Sequence, residues 1–256
     1  MNGMNKLKVI SFVLLAALFL GYFSVDVYAG QIFPGLSPII DGTDDPAEVV
    51  PALQILFLVS IVALAPSLLV LLTGFVRIII VLSFMRQAMA TQMMPPNQVM
   101  VGIALFLTLF LMAPVLSEIN QTALIPFGAG ELSIEEAFTA GMAPIRRFMM
   151  DEVMPTDLNL FLDLAGETLG ADEEPGNHIL IPAFILSELA AGFMIGFFIY
   201  LPFIAVDMVV ASVLMAMGMM MLPPAMISLP FKIMLFILAG GWSFVIESLM
   251  RTFTFY

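Results

Sequence analysis

Apolar residues run along this chain in blocks that are too long for a water-soluble core and unequal in length. Residues 179–206 form a run of about 28 with Glu188 as the only ionisable side chain. At ~1.5 Å per helical residue that run crosses a ~30 Å hydrocarbon layer. The next run, Met208–Leu222, has about 15 residues before Pro223-Pro224, so as a helix it reaches only about 22 Å. Beyond the prolines, Lys232 divides Ala225–Ile246 into two shorter apolar pieces. Lipid offers no hydrogen bonds to a broken helix, so such pieces persist only where protein or a water-filled cavity surrounds them. The pattern predicts an all-α, membrane-associated chain with kinked and half-length helices that needs sister subunits.

The remaining blocks follow the same logic. Lys6 and Lys8 precede an apolar stretch, Val9–Phe23, and a small-residue site at Ala29, the pattern of a secretory signal peptide over residues 1–29. Residues 30–48 carry Pro34, Pro38, Gly42 and Pro46 and read as an external linker. Residues 49–116 form a first apolar hairpin. Val49–Met85 is longer than one span and is expected to kink, with its Arg77 and Arg86 end at the cytoplasmic interface. Arg77 there either snorkels or pairs with a carboxylate of the assembly. Pro95-Pro96-Asn97 makes the turn, and Val99–Leu116 returns. Residues 117–180 form an acidic soluble domain of short helices. Ser133 and Glu136 are spaced as a capping box, and Leu158, Phe161, Leu162 and Ala165 recur at helical spacing. So small a domain has little core of its own and is expected to lean on neighbouring copies. Residues 181–256 form the second apolar region.

Composition sharpens the picture. With 61% apolar residues, 11% charged residues and a mean hydropathy of +1.09, the chain lies outside the range of soluble domains. The net charge of −12 is uneven: Glu118–Glu174 holds twelve acids against Arg146 and Arg147, a net −10. A segment so poor in Lys and Arg is expected on the non-cytoplasmic side. The chain has no cysteine, so disulfides and thiol chemistry are excluded. Without a basic patch, nucleic-acid binding has no footing.

No catalytic or metal-binding pattern stands out. His178 is the lone histidine and reads as a solvated turn residue. No G-x-x-x-x-G-K-[ST] loop occurs. An intramembrane aspartyl protease needs two converging aspartates, and Asp207 is the only one in the C-terminal apolar region. No cofactor is expected. Glu188, Asp207 and Arg77 are instead charges that must be compensated. Asp207 and Lys232 are expected to pair across the Pro223-Pro224 turn or between subunits. Gly192 and Gly196, spaced G-x-x-x-G, allow close helix approach. The break itself reads Met217-Gly218-Met219-Met220-Met221-Leu222-Pro223-Pro224. Flexible thioethers on a loop serve either as core filler or as a deformable seal around a pore.

Two long motifs carry a resemblance. Pro182-Ala183-Phe184-Ile185-Leu186-Ser187-Glu188-Leu189, followed by Gly192-Phe193 and Ile195-Gly196, resembles the first signature of the FliP family of flagellar type III export proteins. Pro202-Phe203-Ile204, Val206-Asp207 and Ala211-Ser212-Val213-Leu214-Met215-Ala216-Met217-Gly218-Met219 resemble the second. Arg77-Ile78-Ile79-Ile80-Val81, Pro95-Pro96-Asn97-Gln98-Val99 and Ile227-Ser228-Leu229-Pro230-Phe231-Lys232 continue it. Met194, where the family is usually polar, and Gly240, where it usually has Asp, depart from it. The resemblance implies a homo-oligomer, a ring or spiral of copies in the inner (cell) membrane at the flagellar basal body. The acidic domain would lie in the periplasm, and two small membrane proteins, FliQ-like and FliR-like, would be partners. Unfolded export substrates would pass through a central channel, with Met219, Met220 and Met221 lining its constriction. An injectisome export-gate subunit would share both signatures. A small-solute or ion transporter would instead show polar residues on several helices and internal repeats.

Overall fold

A computed structural model describes residues 70–254, except 92–93, 171–172 and 220–221, together with scattered positions from 53 to 67. The expected signal peptide and linker therefore lie outside the described residues, as do Met220 and Met221. The chain divides into two units, residues 1–65 and 66–256. In the first, the described positions between 53 and 63 are helical, and the Ser60 hydroxyl donates to the Leu56 carbonyl at 2.8 Å.

The second unit is all-α among its described residues. α1 spans Phe75–Ala88, α2 Asn97–Leu111, α3 Ala113–Ile119 and α4 Ile125–Gly128, with a single wide π-helical turn, Asn120–Leu124, between the last two. α5 covers Ile134–Glu152, α6 Pro155–Ala165, α7 Asn177–Ala216, α8 Pro224–Leu238 and α9 Gly241–Met250. α7 is the spine, with α1, α5, α6 and α8 packed against it. The shared core runs from Ile78, Leu82 and Met85 of α1 to Phe148 and Met149 of α5 and to Leu180 and Phe184 of α7. The acidic insert is thus built into the common core, with Phe148 and Phe184 meeting edge to face at 5.8 Å.

Local chemistry explains the ends. The Ser133 hydroxyl accepts from the Glu136 N–H, and the Glu136 carboxylate accepts from the Ser133 N–H at 2.8 Å, so α5 starts with a full capping box. These bonds hold the Glu136 carboxyl below the usual carboxylate range. α6 ends at Gly166, whose φ of +70° closes the last turn.

Three expectations are corrected. The half-length helix at Met208–Leu222 does not exist as a separate piece. α7 continues unbroken for 40 residues through Pro202 and Asp207, a length of about 60 Å. A carboxylate interrupts an apolar helix only if it is uncompensated, and Asp207 has partners. Similarly, Lys232 does not divide the last apolar segment, for it lies inside α8. The break falls at Gly240 and Gly241, with φ of +102° and +62°, values that only glycine adopts readily. Third, Arg77 neither snorkels nor awaits another subunit. It is 4% exposed, and its partners belong to this chain.

Of the described helices, α7 alone is long and apolar enough to cross a membrane. Two bent pairs reach that length only if each is taken together: α2 with α3–α4, bent by 53°, and α8 with α9, bent by 61°.

Candidate functional site

Two charge clusters, the first buried and the second partly exposed, hold the charged residues that the sequence singles out. The first cluster sits where α1, α5 and α7 converge. Arg77 Nη2 donates to Glu152 Oε2 at 2.7 Å and also to Glu188 Oε1, while Nη1 donates to the Thr252 carbonyl at 3.0 Å. The Phe253 ring lies 4.1 Å from the guanidinium carbon, a cation–π contact. The Thr254 N–H donates to the other oxygen of Glu152 at 2.6 Å. Each ion taken from water costs several kcal/mol, so such a group persists only when paired and hydrogen-bonded. Here one guanidinium answers two carboxylates, and the C-terminal residues 252–254 close over all three. Next to Glu188, the Ser187 hydroxyl donates to Asp157 Oδ2 at 2.6 Å and accepts the Met154 N–H at 2.9 Å, which ties α6 to the spine.

The second cluster joins α7 to α8. Lys232 Nζ donates to Asp207 Oδ2 at 2.6 Å, and the Ser228 hydroxyl donates to Asp207 Oδ1 at 2.6 Å. Ser228 and Lys232, four residues apart, stand on one face of α8, so both reach the same carboxylate. Their unequal distances from the proline turn do not matter, because the connecting residues all lie on one side of it. Counted from the helix ends, Asp207 stands nine residues before Ala216 and Lys232 eight residues after Pro224, which puts the two nearly level. The pair forms within one chain.

Between these clusters α7 lies close against α1. A Cβ placed on Gly196 would come within 2.5 Å of the Phe84 ring, and one on Gly192 within 3.2 Å of Ile80. Both glycines of the G-x-x-x-G pair therefore face α1 in the same chain, and their bare backbone is what admits those two side chains. Met194 lies on an exposed part of the helix.

The turn after α7 follows Met217, with Gly218 at φ +76° and Met219 exposed. Pro223 and Pro224 begin α8, Pro224 being its first residue. Pro95 and Pro96 stand in the turn between α1 and α2, next to Arg86, which donates to the Pro95 carbonyl at 3.3 Å and to Asn97. His178 is exposed and faces Glu167 at 3.2 Å.

Nothing in the sequence marks Glu152, Phe253, Thr254 and Asp157, and the motif that contains Ser228 does not mark it as a partner of Asp207. Glu152 is one of twelve acids in a polar stretch, and nothing local marks it as the buried one. The available signal was Arg77 itself, a cation in an apolar run that must find a carboxylate somewhere. The two arginines of the acidic insert also proved to be staples. Arg146 reaches Glu174 at 3.0 Å and the Pro175 carbonyl at 2.9 Å, and Arg147 holds both oxygens of Glu118 at 2.9 and 3.0 Å.

The family model described as the FliP family matches residues 58–249. The Bacillus subtilis protein named Flagellar biosynthetic protein FliP is 49% identical over 218 residues, covering 84% of this chain and 97% of its own length. The protein of the same name from Pectobacterium carotovorum is 48% identical over 204 residues, 79% of each chain. The one from Aquifex aeolicus is 42% identical over 228 residues, 88% of this chain and 95% of its own.

Proposed function

This chain belongs to the FliP family, and from that premise we propose that it is a core subunit of the flagellar type III export gate. Copies of it assemble, with two small membrane proteins, around a channel for unfolded flagellar substrates in the inner membrane. The acidic helices α5 and α6 face the periplasm, and the methionine turn closes the channel when no substrate is in it. The observation that carries this reading is the uncovered surface of α7. Only 22% of its most apolar window is buried within the chain, and Phe193, Phe197, Phe198, Met208 and Val209 are each more than half exposed. The charges that would forbid a membrane setting, Asp207 and Glu188, are already answered internally. An apolar helix whose carboxylates are paired within the chain and whose sides are open suits lipid on one side and sister subunits on the other.

The turn suits a seal because Gly218 supplies a bend that side chains resist, and Met217 and Met219 stand exposed beside it. Thioethers can pack against one another and then against a passing chain of varied composition. Replacing Met219–Met221 together by glycine in cells that depend on this gene is expected to leave export operating but to make the membrane leaky to ions and small dyes. Tight membranes in that variant would remove the sealing role. Normal flagellation after deletion of the gene would remove the export role.

A further inference from the structure

We propose that the pocket beside Arg86 is a binding site for a phosphate group, carried by a phospholipid headgroup or by a free phosphate compound. The cavity, of about 700 Å³, is lined by Arg86, Gln87, Thr91, Tyr200, Met226 and Leu229, among others. Every other described Lys or Arg has a carboxylate partner: Arg77, Arg146, Arg147, Lys232 and Arg251 all do. Among the described residues Arg86 has none, in a chain with 20 acids and 8 Lys and Arg. Its two hydrogen bonds, to the Pro95 carbonyl and to Asn97 Oδ1, both leave from Nη1. The guanidinium is therefore fixed by neutral acceptors, with Nη2 and Nε uncommitted among the described residues.

A partly buried cation held in place without a counter-ion is an anion receptor, and the planar fork of Arg matches phosphate geometry. Gln87 and Tyr200 add an amide and a phenol to the walls, the Tyr200 ring being held edge-on to Phe84 with centroids 6.5 Å apart. Met226, 73% exposed, and Leu229 give the pocket an apolar rim, which favours a phosphate attached to acyl chains. The assignment is independent of the channel reading.

The test is native mass spectrometry of the detergent-extracted protein titrated with phosphatidylglycerol, with a phosphate-free diacyl glycolipid and with inorganic phosphate. Wild type is expected to retain phosphatidylglycerol and not the glycolipid. Arg86→Gln should weaken retention by about tenfold or more, the scale of one charge-assisted hydrogen-bonded contact. Arg251→Gln, at an exposed arginine already bonded to Glu247 at 2.8 Å, should leave it unchanged. Displacement of the lipid by inorganic phosphate identifies the free compound as a sufficient ligand, and its failure to displace identifies the lipid. Equal retention of both lipids, or wild-type affinity in Arg86→Gln, overturns the proposal. So does an absence of any phosphate adduct together with crosslinking of position 86 to a protein partner. Should Arg86→Gln fail to fold, Arg86→Lys keeps the charge but loses the fork. A several-fold loss of affinity is expected there, and unchanged affinity overturns the proposal.

Discussion

Arg77→Ala is the sharpest perturbation available, because it removes the one cation that, among the described residues, faces two buried carboxylates. Glu152 and Glu188 would be left with side chains 3% and 0% exposed, and breaking a buried pair of this kind costs about 3–5 kcal/mol. The loss of the guanidinium over Phe253, at 4.1 Å, adds about 1–2 kcal/mol. The sum, about 4–7 kcal/mol, is a large part of the ~5–15 kcal/mol that holds a domain folded. For a unit of this size it lowers the melting midpoint by about 10–25 °C. The loss comes from uncompensated charge rather than from lost volume, so a neutral cluster should recover most of it. In Arg77→Met combined with Glu152→Gln and Glu188→Gln, no ion remains to be desolvated, and the amide oxygen introduced at position 152 can still accept the Thr254 N–H. The assay is the fraction of detergent-extracted protein that stays monodisperse after heating, read by fluorescence-detected gel filtration. If Arg77→Ala melts with wild type, or the neutral triple variant melts as low as Arg77→Ala, the compensation argument is wrong.

Gly196→Leu should destabilise by about 1–3 kcal/mol through overpacking against Phe84, and Phe84→Ala in the same chain should relieve part of that, a coupling readable in a double-mutant cycle. Lys232→Met should reduce the yield of folded protein because Asp207 keeps only the Ser228 hydroxyl, whereas Lys232→Met with Asp207→Asn should restore it; equal yields in the single and double variants would show the pair to be unimportant. The capping box makes a pH prediction. Because Glu136 titrates lower when folded than when unfolded, its contribution is present above the usual carboxylate range and is lost as pH falls through the folded value. Ser133→Ala should therefore lower stability near neutral pH and have less effect in strong acid, followed by far-ultraviolet circular dichroism of the purified protein.

The helical class, a membrane-length apolar run after His178, the turns at Pro95-Pro96 and Pro223-Pro224 and the capping box are all legible in the linear chain, because each depends on residues close in sequence. Apolar run length, Pro and Gly placement and a Ser–Glu spacing act locally, so they can be read in order. The need of Arg77, Glu188, Asp207 and Lys232 for partners is legible too, since a charge in an apolar run is costly wherever the chain goes. Who those partners are is settled by long-range packing. Arg77 meets Glu152 and Glu188 from 75 and 111 residues away, and no local signal selects one acid among twelve. The same long-range choice explains why α7 does not stop at Asp207 and why α8 does not stop at Lys232. Each charge cancels the interruption that the other would have caused, and that cancellation exists only once the two helices lie side by side.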